Sequence, residues 1–504
     1  MKNLFVILLL SAFAGVAQCQ TVVDTLFPTP LIIPAKYASK YETAQTVYLP
    51  RGFECTLYYT QQGYWSPRMM AFDPLGTLCV ADDGLSQVLA LPDTNHDNVA
   101  DTAIQIAFND SSAHSIAFYQ GALYAAAPGF VLKFEHPNAA GLYVDSSRFI
   151  DNIPYAAQGT PNHTTRTILF DTVGKIIYLS VGAPCNACRE IDSERAAVLA
   201  FNLDGTGRRI YAAGLRNAVG LGMDPVTRDV WINVAERNSQ GEDIPNDFAA
   251  PLLEDGFYGW PIAFGDHEWD NFQADSEYMA LLPTTHADSI NVANMQVLAV
   301  EFQAHSTPLS LAFYREQKFP AIYQGNMFTT LHGSSPGSDG RIVADGSQIV
   351  RSQNVAGEWI TSDFATGFLT DSINYLRWAR PAGIIIDSSG DMYFSSDNTG
   401  PHSTPAIFKI SYIGTSDVES STASMPSLKI YPNPASDQIH IDVQQASIGS
   451  AISINDMLGR ELIQSPISSN ATSDIDVHDL APGVYLLRAF LKSGIVVKQF
   501  VVAR

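Results

Sequence analysis

The chain has 504 residues, with 51 acidic against 29 basic side chains and a formal net charge of -22. That balance excludes nucleic acid and anionic membrane surfaces as partners, because phosphates are bound by concentrated cationic surface. The length is too great for one ordinary core and predicts either two domains or one large repeat fold with an appendage, and the frequent aromatics, 35 glycines and 28 prolines between short apolar runs place it in the all-β class.

In chain order, Lys2, the apolar run Leu4 to Leu10 and the small residues Gly15-Val16-Ala17 have the layout of a secretory signal peptide over residues 1–17. Gln18 stands where a lipid-attachment motif carries a small residue, so Cys19 is not expected to be lipidated. No later stretch reaches the roughly 20 apolar residues that a transmembrane helix needs. Residues 18–48 form an N-terminal extension.

A unit then recurs over 49–412: apolar residues ending in Phe or a substitute, a turn, and a run of β-formers. Its copies are Met70-Ala-Phe72-Asp-Pro-Leu-Gly76 to Val80, Ile116-Ala-Phe118 to Tyr124, and Ile168-Leu-Phe170-Asp-Thr-Val-Gly174 to Tyr178. Leu221-Gly-Met223-Asp to Trp231, Leu311-Ala-Phe313, and Ile385-Ile386-Asp-Ser-Ser-Gly390 to Tyr393 complete the set of six. The first spacings are 46, 52 and 53 residues (72 to 118, 118 to 170, 170 to 223), about four strands each, which predicts a six-bladed β-propeller. The wider gap before Phe313 predicts an insertion over 265–295. Function should sit on the strand-end loops around the central channel.

Four further cysteines in an exported chain predict two disulfides, Cys185 with Cys188 as a loop clip and Cys55 with Cys79 across adjacent strands of one early blade. Arg189 follows Cys188 where a c-type haem site needs His. Asp93-Thr-Asn95-His-Asp97-Asn98-Val-Ala-Asp101 alternates acids as a short calcium loop does but lacks the EF-hand Gly and distant Glu, so it reads either as a structural calcium site or as a polar hairpin turn.

Residues 413–426 are Ser/Thr-rich and read as a linker. Beyond it, over 427–504, alternating strands such as Ile439-His-Ile441-Asp-Val443 and turns at Leu458-Gly459-Arg460 and Ala481-Pro-Gly483 describe a small β-sandwich. Tyr431-Pro-Asn433-Pro434 and Gly483-Val-Tyr485-Leu486-Leu resemble the type A sorting domain of type IX secretion. The resemblance implies an address read by the type IX export machinery, and hence a secreted or cell-surface protein.

No phosphate-binding Gly-rich loop and no Gly-x-Ser-x-Gly elbow is present. Polar residues gather instead at the blade edges: His163 and Arg166, Arg216-Asn217, Glu236 to Asp243, His305, His332 and Arg380. His163-Thr-Thr-Arg166 before Gly174 to Gly182, Gly214-Leu-Arg216-Asn217-Ala-Val-Gly220, and Gly256-Phe-Tyr258-Gly259-Trp260-Pro261 resemble the glucose and sorbosone dehydrogenase family. Ala304-His305-Ser-Thr-Pro308, Leu331-His332-Gly333 and Arg380-Pro381-Ala-Gly383 are similar to its sorbosone-type branch. The resemblance runs from about Leu49 to Ile410.

It implies a six-bladed propeller that oxidises a sugar or related polyol with pyrroloquinoline quinone, passing electrons to an extracellular acceptor. His163 takes the place of the general base, for which an imidazole suits because its unperturbed pKa lies near the working pH. Arg216 and Asn217 match cofactor contacts, as does Arg380, and Arg68, His332 and Arg341 are candidates to complete a cationic cradle for three carboxylates. Asn238 and Ser239 fall in the loop whose carbonyls help hold the cofactor's calcium, with Asp93, Asn95, Asp97 and Asp101 as a separate candidate calcium site. Asn238-Ser239 and Asn162 depart from the glucose-specific branch, which puts glucose itself in doubt. Two other readings stay open: a non-catalytic surface propeller that binds glycan or protein, and a calcium-dependent propeller lactonase.

Overall fold

The computed structural model describes residues 24–39, 45–61, 63–108, 112–155, 163–334, 346–397, 404–414, 428–443, 451–456, 461–466, 472–491 and 494–504. The segment read as a signal peptide and most of the Ser/Thr-rich linker lie outside them.

Among the described residues, six antiparallel meanders follow one another. The first sheet is Pro67–Phe72, Leu78–Asp82, Gln87–Leu91 and Ile104–Phe108; the second is Ser115–Tyr119, Ala122–Ala127, Phe130–Phe134 and Ser146–Ile150. The third comprises Ile168–Asp171, Ile176–Val181, Ala197–Asn202 and Arg209–Ala213, with the short strand Gly256–Phe257 added in parallel at its edge. Ala218–Met223, Val230–Val234, Asp247–Pro251 and Val300–Phe302 make the fourth, and Pro308–Phe313, Met327–Leu331, Gln348–Val355 and Glu358–Ala365 the fifth. The sixth takes Pro381–Ile386, Met392–Ser396 and Ala406–Tyr412 from late in the chain and Phe53–Tyr59 from its beginning.

The first strand of each sheet packs on the first strand of the next, and that of the sixth returns to that of the first, so the sheets close a ring. Side chains stitch the inner strands across sheet boundaries. Ser115 Oγ accepts from Ile168 N at 3.0 Å, Ser310 Oγ accepts from Ile384 N at 3.2 Å, and Ser395 Oγ donates to Arg68 O at 2.7 Å. Such close approach limits residue size: a Cβ at Gly383 would lie 2.6 Å from Arg68 O. Apolar residues on the faces of neighbouring sheets fill the wedges between them, as Ile177, Leu179 and Leu199 of the third sheet do with Tyr124 and Val131 of the second.

Each of the six sequence copies falls on the first hairpin of one sheet: Met70–Phe72 with Leu78–Val80, for example, pair in register. The insertion lies between the third and fourth strands of the fourth sheet and carries the short helices Ser276–Met279 and His286–Ala293, the latter opened by a Thr285/Asp288 capping box.

Cys185 and Cys188 form a disulfide. The expected Cys55–Cys79 bridge does not form: both thiols are free and buried. The expectation assumed that the two lie on neighbouring strands of one blade. Phe53–Tyr59 instead completes the sixth sheet, where Cys55 faces Ile410, while Cys79 sits in the first sheet between Ala71 and Ala90. They belong to different apolar clusters, and burial raises both thiol pKa values.

At the C-terminus, a three-stranded sheet (Leu428–Tyr431, Gln438–Val443, Thr472–Asp476) and a four-stranded one (Ala451–Asp456, Glu461–Pro466, Gly483–Leu491, Gly494–Val502) share a core of Ile439, Ile441, Ile452, Ile454, Leu487 and Phe500.

Candidate functional site

In an antiparallel meander, the start of the first strand and the end of the second share one end of the sheet. At that end of the ring lie Arg68 on the first inner strand and His114, Arg166, Arg216-Asn217, Ser306-Thr307 and Arg380 just before the other five. The ends of the second strands bring Gly182-Ala183, Glu236, His332 and Asp397 to the same place. The inner strands of the first, fourth, fifth and sixth sheets break register there, between Pro67/Met70, Ala218/Gly220, Pro308/Ser310 and Pro381/Ile384. Such irregularities re-aim side chains beside binding sites. Non-glycine residues with positive φ gather here too: His163 (51°), Ser239 (69°), His305 (64°) and Thr307 (55°). These conformations persist only where the surroundings impose them.

His163 is bound to Arg216 through one residue. Its Nδ1 donates to Ala183 O at 2.8 Å, and Ala183 N donates to Arg216 O at 2.7 Å. A carbonyl can only accept, so Nδ1 carries the proton and the basic lone pair of the neutral ring is on Nε2. Arg166 holds the backbone of His163 by donating to its carbonyl at 2.9 Å. Gly182 is where His163 and Asn217 meet: a Cβ there would lie 2.5 Å from His163 Cβ and 2.7 Å from Asn217 Oδ1. Burial first, and then the charge of Arg216, pull the His163 pKa down to about 3, with Arg195 and Arg166 adding to the effect.

Across the ring, Asp397 is fully buried and takes an ion pair from Arg68 and two contacts of 3.0 Å from His332 Nε2. The His332 contact and the charges of Arg68 and Arg380 hold its carboxyl below the usual range despite burial. Arg380 donates to the carbonyls of His332 (3.3 Å) and Gly333 (2.8 Å), and Arg377 to that of Ser334 (3.0 Å). Burial and the nearby arginines pull His332 down to about 4, and burial takes Arg380 and Arg166 to about 9. Arg68 Nε donates to His114 Nδ1 at 3.3 Å, which leaves the His114 proton on Nε2. That nitrogen, with Nε of Arg166, Arg216 and Arg377, is a buried polar atom with no partner in the protein. A chain with a net charge of -22 thus concentrates buried cations and unpaired donors at one end of its ring.

Comparison with known proteins follows the same lines. Residues 48–402 match the TrAA12-like family model. This chain belongs to the TrAA12-like family. Residues 429–503 match the secretion system C-terminal sorting domain, which directs a protein through type IX secretion to the cell surface or outside. No helix among the described residues is long and apolar enough to cross a membrane. A Hypocrea jecorina protein named as a pyrroloquinoline quinone-dependent sugar dehydrogenase is 23% identical over 390 residues, 67% of this chain and 84% of its own length. An uncharacterized Borreliella burgdorferi protein is 25% identical over 242 residues, 47% of this chain and 58% of its own length. Among solved structures, a family AA12 carbohydrate-active enzyme of Trichoderma reesei, seen with iodide, superposes with a TM-score of 0.59 at 20% identity, covering 78% of this chain and all (100%) of that one. The holo pyranose dehydrogenase quinone domain of Coprinopsis cinerea gives 0.57 at 18% identity, covering 76% and 98%. At these identities the superpositions show the fold.

In this TrAA12-like ring, His163, Arg216 and Asn217 meet between the third and fourth sheets, and Arg68, His332 and Arg380 surround Asp397 between the first, fifth and sixth. Arg341 lies outside the described residues. Asn238 and Ser239 follow the second strand of the fourth sheet at the same end, but Asn238 O already accepts from Asn186 Nδ2 (3.1 Å) and from Tyr278 Oη, which occupies both of its lone pairs. Asp93, Asn95, Asp97 and Asp101 lie at the opposite end, after the third strand of the first sheet. Their oxygens serve their own loop: Asp93 accepts from Asp97 N and Asn98 N, Asn95 from Asp97 N, and Asp101 from Thr94 N. Among the described residues, no three His, Cys, Asp or Glu side chains are grouped to hold a metal.

Sequence reasoning missed His114, Arg377, Asp397 and Asn186. Asp397 could have been found, since it follows the second strand Met392–Ser396 as Asp83 follows Leu78–Asp82 in the first copy. Asn186 gives no such signal: its partners are 30 and 52 residues away.

Proposed function

We propose that this protein is a secreted six-bladed propeller quinoprotein that oxidises a sugar or related polyol, with pyrroloquinoline quinone at the cationic end of the ring and an extracellular acceptor for the electrons. The observation that carries the reading is the pair Arg166 and Arg216, each with a buried Nε lacking a protein partner, beside a neutral histidine, with the buried arginines Arg68, Arg377 and Arg380 across the ring. Buried donors left unpaired cost free energy, and a polycarboxylate is the ligand that satisfies them. The holo Coprinopsis domain and the quinone-dependent Hypocrea relative support the choice of anion.

When bound, pyrroloquinoline quinone supplies an ortho-quinone that accepts a hydride equivalent from the substrate carbon. The residues of the chain do the rest. Arg216 and Arg380, held on protein carbonyls, would set positive charge beside the carboxylates, Asn217 would donate an amide hydrogen, and Arg68 with Asp397 keeps His332 in place. His163 Nε2 takes the hydroxyl proton as the carbon is oxidised, the Nδ1 to Ala183 O bond fixing the tautomer throughout. His163 would gain proton affinity, toward the working range, where negative charge offsets Arg216, Arg195 and Arg166. The Asn238 carbonyl does not fit as a calcium ligand because both its lone pairs are engaged, and no step passes through calcium.

Purified protein incubated with pyrroloquinoline quinone and desalted should retain quinone absorbance and reduce a dye when given aldoses. Loss of all quinone on desalting overturns the reading. Glycan binding without quinone uptake would replace it with the non-catalytic one.

A further inference from the structure

Asn186 is the second residue of the Cys185–Cys188 loop, and its amide touches two parts of the site at once. Oδ1 accepts from Arg216 Nη2 at 3.2 Å and from the backbone N of Asn238 at 2.7 Å, while Nδ2 donates to Asn238 O at 3.1 Å. Its main-chain carbonyl is fixed by Trp260 Nε1 at 2.8 Å, and the neighbouring Ala187 N donates to Glu277 Oε2 at 3.3 Å. The disulfide restricts the loop to one short span. Arg216, in turn, is braced on its other nitrogen by Glu236 O at 2.6 Å and Ala235 O at 3.4 Å. The guanidinium is therefore held between the end of the fourth sheet's second strand and the clip, with Nε unpaired.

We infer that Asn186, presented by the Cys185–Cys188 clip, is a positioning residue that fixes Arg216 beside His163 and locks the loop 236–239 to it. Only an amide fits the place. The oxygen faces two donors and the nitrogen faces a carbonyl, so a carboxylate would set oxygen against Asn238 O, and an aliphatic side chain would take their acceptor from Asn238 N and Arg216 Nη2. The clip has no part in the electron flow: it is a restraint that stops the loop from withdrawing the amide. Cys185 and Cys188 are half-buried, so a reductant can reach them.

The inference rests on the functional reading above only in its first readout, and its second is independent of cofactor. The first is the dissociation constant for pyrroloquinoline quinone, titrated into cofactor-free full-length protein. Asn186→Ala, and separately Cys185→Ser with Cys188→Ser, should weaken binding about tenfold, the usual lower size of a lost supporting contact, with Tm nearly unchanged. The second is the titration of His163 in the cofactor-free protein, followed by NMR of labelled histidine. Release of Arg216 removes a cation from its neighbourhood, so its midpoint should rise in both variants.

If Asn186→Ala fails to fold, the double serine variant carries both measurements. Unchanged quinone affinity together with an unchanged His163 midpoint overturns the inference. Should wild-type protein take up no quinone, the functional reading falls, and the His163 midpoint alone then decides the role of Asn186: a rise supports it and constancy overturns it.

Discussion

The two ends of the ring are built from the same hairpins and differ in what the chain asks of them. At the end where inner strands turn into second strands, four copies of the repeat place an acid in the turn, where it accepts local backbone hydrogen bonds, and Asp171 and Asp224 also take ion pairs from Arg228 and Arg315. Asp73 accepts from Leu75 N and Thr77 N, each at 2.8 Å; Asp171 from Val173 N and Gly174 N; Asp224 from Val226 N; and Asp387 from Ser389 N and Asp391 N. At the other end, where inner strands begin, the corresponding positions are Arg68, His114, Arg166, Asn217, Thr307 and Arg380, alike only where Arg380 and Arg68 meet at the closure of the ring, and several donors there find no partner in the protein. One end repeats because four of the six first hairpins close through the same acid turn. The other varies, as it would if the single ligand proposed above were met from six directions.

The largest effect that sharpens this contrast is on turnover. His163→Ala in quinone-loaded protein should cut dye reduction by about 10²- to 10⁴-fold, the usual general-base contribution, with quinone binding nearly intact. Full activity in that variant would mean that the varied end does not carry the proton. Next in size, Asp397→Ala leaves Arg68 buried without its counter-ion and His332 Nε2 without its acceptor and should cost about 3–5 kcal/mol in a denaturant titration. At the repeated end, Asp73→Ala removes two turn hydrogen bonds that are exposed or half-buried and should cost only about 1 kcal/mol, leaving quinone affinity unchanged. An equal loss at the two ends would break the comparison.

A pH dependence of stability follows from His163. Its folded pKa of about 3 lies below the ordinary value of 6.5, so the unfolded chain binds the extra proton first. The group costs nothing above about pH 6.5, destabilises progressively as pH falls, and its effect levels off near 3. Unfolding profiles of wild type and His163→Gln should therefore converge as pH falls from 6.5. Asp247 works in the same window with opposite sign. Burial raises it to about 7, so its ionisation costs stability as pH rises toward that value, and His163→Gln isolates the histidine part.

The contrast also explains what could be read beforehand. The hairpins were legible because Asp-x-x-Gly turns and alternating strands are local chemistry: all six copies fall on first hairpins, and the C-terminal strands declare themselves in the same way. His163, Arg216 and Asn217 were legible only through motif resemblance, for nothing local distinguishes Arg216 from a surface arginine until Ala183 and Glu236 are folded against it. The Cys55–Cys79 pairing failed for a related reason. The partner strand of Phe53–Tyr59 is Ala406–Tyr412, near the far end of the ring sequence, and apolar alternation says nothing about which edge a strand will take.

That closing strand sets an order of events during synthesis. Phe53–Tyr59 leaves the ribosome early, and its main-chain donors and acceptors remain an open sheet edge until Ala406–Tyr412 has followed. Until then the ring is a chain of five finished meanders with two adhesive margins. Contacts of such long sequence separation form slowly. Molecules shortened before Ala406 should therefore pair with one another rather than remain monomers, and the last seven-residue strand of the ring decides whether the preceding chain is a closed, self-contained body or one open to polymerisation.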